Sequence, residues 1–210
     1  MSNDFLKDLD LKIYNQKQSE FFNNVMEFFT QPLPLEIKKN LEKIVAFANI
    51  VQDEVILDVG AGTGVLIPYF LKYKPKKIIA CDLSKRMLNY LKQQFPEVET
   101  YLMDIRDLPL PNAYIDVAFL NAVWPNIGDK PGALKNLYRI LKDNGRIIIS
   151  HPEGKAFVNN LKKILPFPIN SLPEKEELRK FLKKFGFSLK NFIDEHRFYF
   201  ALAFKVKKEG

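Results

Sequence analysis

Apolar and polar positions fall in two alternating kinds of block along this chain. Short, nearly continuous apolar runs stand between longer stretches in which apolar residues return every three or four positions. The short runs read as strands and the longer ones as helices with one apolar face. Two helices at about 16–30 and 34–48 are followed by strand 55–59, helix 64–73, strand 77–81, helix 84–94 and strand 98–102. Strand 115–121, helix 130–141 and strand 146–150 continue the series. Helices near 154–164 and 174–184 come next, then two strand-like runs at about 187–194 and 197–206, joined by a polar turn. Residues 1–15 are expected to be loosely held. Regular alternation predicts an α/β fold whose parallel sheet is covered on both faces. The last two runs predict an antiparallel hairpin at its edge.

The most informative stretch is VILDVGAGTG, from Val55 to Gly64. It reads as a buried strand entering a glycine-rich turn, followed by a helix. Gly60, Gly62 and Gly64 let backbone turn tightly and approach a ligand, because no Cβ intervenes. Such a strand–turn–helix binds nucleoside-containing ligands at the carboxyl ends of strands. The dinucleotide fingerprint G-x-G-x-x-G does not fit, since Val65 takes the place of its third glycine, and the phosphate loop G-x-x-x-x-G-K-[ST] is absent. Asp58, two residues before the first glycine, would repel a pyrophosphate. It suits a ligand with a cationic, amino-acid-like end. A second apolar strand, IIACD, ends in Asp82, an acid placed to accept from both hydroxyls of a ribose.

D-x-G-x-G-x-G resembles motif I of the class I S-adenosylmethionine-dependent methyltransferases. IIACDLSKRML resembles the second motif of that family, and YLMDIRDLPLPNAYIDVAFLNAV the next two. ALKNLYRILKDNGRIIIS resembles the helix and fifth strand that close the core. The likeness covers roughly residues 20–206 and points to the ubiquinone/menaquinone-biosynthesis (methyltransferase type 11) group, with support from Phe21-Phe22-Asn23 and the LPLP turn. It implies a Rossmann-like, doubly wound, mostly parallel seven-stranded sheet with an antiparallel edge hairpin and helices on both faces. It implies one methyltransferase domain over 1–210, with a helical cap at 1–50, a cofactor-binding core at 51–151, and C-terminal helices with the hairpin at 152–210. The implied donor is S-adenosylmethionine, and the product S-adenosylhomocysteine. By the same resemblance Ala61 and Thr63 join the glycines in the cofactor wall, with Leu83 and Met87 beyond Asp82. Asp104 would hold the adenine amine, and Ile105 would pack on the ring or donate its backbone N–H. Asn121 and Ala122 would meet the amino-acid end.

Composition changes this picture little. Hydrophobic residues at 47% and charged residues at 27% are ordinary for a globular chain of 210 residues. The one cysteine, Cys81, lies in an apolar strand, so a buried, inert thiol is expected. No signal pattern and no apolar run of membrane-spanning length is seen, which leads to a cytoplasmic expectation. No Cys/His cluster has metal-ligand spacing, so no metal is expected. The net charge of +7 is uneven: −3 over 1–54, +4 over 55–150 and +6 over 151–210. Lys162, Lys163, Lys180, Lys183, Lys184, Lys207 and Lys208 make up much of the basic end. A solvated outer helix face is the default reading. Weak attraction to an anionic membrane surface is the second, and nucleic acid the third. No feature points to an obligate protein partner.

The acceptor is less legible than the donor, because alignment alone supplies much of the acceleration in methyl transfer. A base is needed only when a proton must leave. His151, at the end of the fifth strand, is the candidate base. Its alternative is a loop histidine that positions the next helix. Trp124 and Asn126 follow the fourth strand and are candidates for the acceptor pocket, with core packing the alternative for Trp124. Phe21, Phe22, Phe28 and Phe29, together with the proline-rich segment 165–173, are candidates for an apolar lid, with Phe21 and Phe22 placed at the acceptor and simple packing on the sheet the alternative. These features point to a small apolar or aromatic acceptor. An RNA-modifying enzyme is the first alternative, but no N-P-P-Y-like tetrapeptide follows the fourth strand. A protein that binds the donor or its product without turnover is the second.

Overall fold

The computed structural model describes residues 2–207, with side chains from residue 10 onward; Lys208 lies outside the described residues. The strands are β1 (Val55–Val59), β2 (Lys77–Asp82), β3 (Glu99–Leu102), β4 (Ile115–Asn121), β5 (Leu141–His151), β6 (Phe187–Glu195) and β7 (Phe198–Lys205). They form one sheet in the order β3-β2-β1-β4-β5-β7-β6. β1 pairs in parallel with β2 on one side and β4 on the other. β3 and β5 extend the parallel part outward. β7 runs antiparallel to both β5 and β6, which makes the edge hairpin. The order of strands reverses at β1, and crevices open at the carboxyl ends of strands where such a reversal occurs.

The central strands read as continuous apolar runs because both of their faces are buried. Side chains alternate between faces along a strand. Val55, Leu57 and Val59 of β1 join one apolar cluster, and Ile56 joins the other. The first cluster takes in α5 (Lys130–Ile140) and α7 (Lys175–Lys184), with Val158 of α6 (Gly154–Ile164). The second takes in α2 (Leu35–Phe47), α3 (Ile67–Leu71) and α4 (Lys85–Gln94). In α7 Leu178 and Leu182 are buried while Lys180, Lys183 and Lys184 are exposed, an amphipathic helix with a lysine outer face.

Three boundaries differ from the sequence reading. α1 spans Ser2–Asn24, and Met26–Thr30 is a separate 3-10 turn, so the expected helix at 16–30 starts far earlier and residues 2–15, expected to be loosely held, are helical. α1 has no apolar stripe, which is why periodicity placed its start too late. α3 covers only Ile67–Leu71, because Gly64 is left-handed at φ +84° and the turn continues to Leu66. β5 starts at Leu141 rather than 146, carrying polar residues through a register shift opposite Ile115 and Val117. Among the described residues no helix is long and apolar enough to cross a membrane.

Arg146 ties the far end of the sheet together. It is 6% exposed and donates to the carbonyls of Ala48 and Asn49. It also pairs with both carboxylate oxygens of Glu54 at 2.7 Å. Removing one partner of such a pair leaves the other charge buried and unpaired, a loss of about 3–5 kcal/mol. Arg146→Ala should therefore lower the unfolding free energy by about that amount in urea titration. A loss below about 1 kcal/mol, the range of a surface pair, would contradict this role.

Candidate active site

A cavity of about 190 Å³ lies at the carboxyl ends of β1, β2 and β4. Its floor is the glycine turn. Gly60 is left-handed at φ +64°, and a Cβ there would stand 2.3 Å from Val123 Cγ2, so that glycine is required by the fold itself. Gly62, at φ +55°, is different. A Cβ there would meet only Met87 Sδ at 3.5 Å, and would otherwise project into open space. Gly64 does not line the cavity; a Cβ would crowd Leu91 and Ile67 at 3.0–3.2 Å, and its N–H donates to the Ala61 carbonyl. Ala61 and Thr63 line the cavity, and the Thr63 hydroxyl donates to the Phe29 carbonyl, drawing the 3-10 turn over the loop.

Three carboxylates face this space. Asp58 is 3% exposed, and no hydrogen bond reaches its carboxylate among the described residues. Burial, then the neighbouring charge of Asp82, pushes its pKa up to about 8. Asp82 is also raised by burial, against the pull of backbone N–H donors. Its Oδ2 accepts from Gly62 N–H and its Oδ1 from Ser84 N–H, both at 2.8 Å. Asp82 therefore clamps the glycine turn to the start of α4, a structural role that the sequence did not reveal. Ser84 caps that helix by accepting from Met87 N–H. Asp104 Oδ1 accepts from Arg106 N–H at 2.9 Å and Oδ2 from the Asn15 amide at 2.6 Å.

Leu83, Met87 and Ile105 supply apolar wall. At the β4 rim, Asn121 and Ala122 line the cavity, and Ala122 is left-handed at φ +57° with its N–H on the Ser150 carbonyl. A non-glycine residue held there is strained, and such strain collects at ligand sites. Cys81 is buried, and burial pushes its thiol pKa far upward, as expected of an inert group.

α1 closes the top. Asn15, Gln18 and Phe22 line the cavity from one helical face, with Phe29 of the 3-10 turn beside them. Sequence reading found Phe22 but missed Asn15 and Gln18. The steps of three residues from Asn15 to Gln18 and four from Gln18 to Phe22 place all three on one helical face, and that was the available signal. Tyr14, Phe21 and Phe22 meet Phe167 of the proline-rich segment with ring centroids 5.5–6.2 Å apart.

Three candidates for the acceptor side stand away from the cavity. Phe21 lies behind Phe22 against Phe167. Trp124 is 2% exposed and packs edge-on against Phe181, inside the core. His151 is 4% exposed and does not line the cavity; its Nδ1 accepts from Glu153 N–H at 3.1 Å, and burial pushes its pKa down to about 4. It positions the start of α6 and has no opening onto the site. Asn126 does line the cavity.

These residues fit S-adenosylmethionine. An unpaired buried carboxylate calls for a cation such as an ammonium group, and the open space above Gly62 is a cradle that a side chain would fill. Comparison with known proteins agrees. Residues 57–149 match the family described as a methyltransferase domain. An uncharacterized methyltransferase of Schizosaccharomyces pombe is 30% identical over 136 residues, 65% of this chain and 48% of that protein. A ubiquinone/menaquinone biosynthesis C-methyltransferase of Vibrio vulnificus is 28% identical over 131 residues, 59% of this chain and 50% of that one. The chain thus spans about half the length of these curated relatives. A crystal structure of an S-adenosylmethionine-dependent methyltransferase from Aquifex aeolicus superposes with a TM-score of 0.72 at 21% identity, covering 88% of this chain and 98% of that one. Residues 57–149 thus match a methyltransferase domain, and the chain has the fold of the S-adenosylmethionine-dependent methyltransferases.

Proposed function

We propose that this chain transfers a methyl group from S-adenosylmethionine to a small, mainly apolar or aromatic molecule. The observation that carries the reading is Asp58, a buried carboxylate without a partner on the floor of a glycine-lined cavity. The donor, when bound, supplies a methyl group on a sulfonium whose leaving group is a neutral thioether. Asp58 would receive its ammonium group, Asp82 its ribose hydroxyls and Asp104 its adenine amine. Phe22, Phe29, Val123 and Ile127 give the remaining lining its apolar character, which supports an apolar acceptor. α1 and the 3-10 turn exclude water. No histidine, lysine, arginine or tyrosine lines the cavity among the described residues, so the work of the chain is alignment and desolvation rather than proton removal.

Calorimetry should show S-adenosylmethionine and S-adenosylhomocysteine binding, with Asp82→Ala weaker by about tenfold or more, as loss of buried hydrogen bonds implies. Binding of NAD with no response to either adenosyl ligand would reject the reading. With labelled donor, label should enter small molecules of a cell extract; label in RNA, or in nothing, would favour the alternatives. His151→Ala should keep most of its turnover, far from the loss of about 10²–10⁴-fold that follows removal of a general base.

The raised pKa of Asp58 makes a second test. Its folded pKa of about 8 lies above that of an unfolded aspartate, about 3.9. Between those values the folded protein holds a proton that the unfolded chain releases. Stability of the ligand-free protein should therefore fall as pH rises across that window. Asp58→Asn removes this penalty. Thermal melts should show wild type losing stability relative to Asp58→Asn between pH 5 and pH 8, while the variant loses ligand affinity. Parallel melting curves would contradict the assignment.

A further inference from the structure

We propose that Gln18 orients the methyl acceptor, and that the acceptor is a neutral amine on a flat apolar body; this rests on the methyltransferase reading above. Gln18 is 3% exposed and lines the cavity from α1. Its Nε2 donates to the Asn126 carbonyl at 3.0 Å, which fixes the plane of the amide. No hydrogen bond reaches Oε1 among the described residues. The oxygen is not sealed from solvent, and in the closed cavity a ligand N–H or O–H would bond it in place of water. Phe22 and Phe29 stand in the same wall with ring centroids 6.0 Å apart, and flat aromatic ligands pack well against such rings.

Charge narrows the choice between N–H and O–H. Asp58, Asp82 and Asp104 line the cavity, and no cationic side chain does so among the described residues. A carboxylate, phosphate or phenolate acceptor would meet like charge with no cationic side chain to offset it. A neutral phenol would have to lose its proton as it reacts, and needs a base. None of the three carboxylates is free for that task. Asp82 and Asp104 already accept two hydrogen bonds each, and Asp58 is the one anion placed for the donor's ammonium group.

A neutral amine avoids both problems. Its nitrogen lone pair forms the bond to the methyl carbon as the carbon–sulfur bond breaks. Sulfur keeps that bonding pair and becomes a neutral thioether. The nitrogen takes up the positive charge, which the anionic cavity favours, and its surplus proton passes to water after product release. An N–H held on Gln18 Oε1 fixes the direction of the lone pair during this step.

Three probes of one shape test this: a naphthalene ring bearing an amine, a hydroxyl or a carboxylate. Each is titrated calorimetrically into protein saturated with S-adenosylhomocysteine, and each is incubated separately with the methyl donor for mass analysis. The amine should bind about tenfold or more tighter than the other two, and it alone should gain a methyl group. Gln18→Met, of similar shape, should weaken amine binding by about tenfold or more while S-adenosylhomocysteine binds as before, which also shows that the variant is folded. Preference for the hydroxyl or the carboxylate overturns the proposal, as does binding of none. Gln18→Met that weakens S-adenosylhomocysteine as much as the amine would assign Gln18 to the donor instead. Should that variant fail to fold, the ranking of probes by the wild type decides alone. Wild type that does not bind S-adenosylhomocysteine at all would overturn the methyltransferase reading itself, a result distinct from any ranking of acceptors.

Discussion

A carboxylate that is buried before its ligand arrives constrains the whole site. Asp58 ends up there because it belongs to β1, a central strand whose residues are all buried. Desolvation, with Asp82 nearby, disfavours its charge. The protein holds this unfavourable arrangement because strong packing on either side of the sheet over-determines it. A cationic ligand group then gains what the empty site lacks, and an anionic one such as a pyrophosphate is refused. The acid that distinguishes this loop from a dinucleotide-binding loop thus acts by charge as well as by shape.

The glycines and Asp82 form one mechanical unit around that carboxylate. Gly60 lets the chain pass under Val123, and Gly62 presents bare backbone to the cavity. Asp82 holds the Gly62 and Ser84 amides together, so the ends of β1 and β2 and the start of α4 move as one piece. β4 contributes from the other side of the reversal in strand order, through Asn121 and the left-handed Ala122. α1 is attached to this base through polar side chains as well as through Tyr14, Phe21 and Phe22 on Phe167. Asn15 bonds Asp104, Gln18 bonds the Asn126 carbonyl, Ser19 bonds the Leu83 carbonyl and Asn23 accepts from Ser84.

The donor side of the site was legible in the sequence because it is local. A buried strand, three glycines and an acid at the end of the next strand keep their meaning wherever the rest of the chain goes. The alternating strands and helices were legible for the same reason, since a sheet buried on both faces prints itself as apolar runs. The top of the cavity was not legible. α1 carries no apolar stripe, so its helix and its register could not be read from periodicity. Asn15 and Gln18 acquire their roles only by contact with residues 89 and 108 positions away. Trp124 and His151 follow strands that reach the rim, yet their side chains turn into the core, and position along the chain alone cannot tell inward from outward there.

Burial holds Asp58 protonated at neutral pH, and a cationic ligand group would ionise it on binding. Calorimetric titration of S-adenosylhomocysteine at pH 7, repeated in buffers of different ionisation enthalpy, counts the protons exchanged on binding. With a pKa of about 8 in the free protein, Asp58 should release most of one proton to the buffer, and Asp58→Asn should release none. Binding to the wild type with no dependence on the buffer would contradict the account.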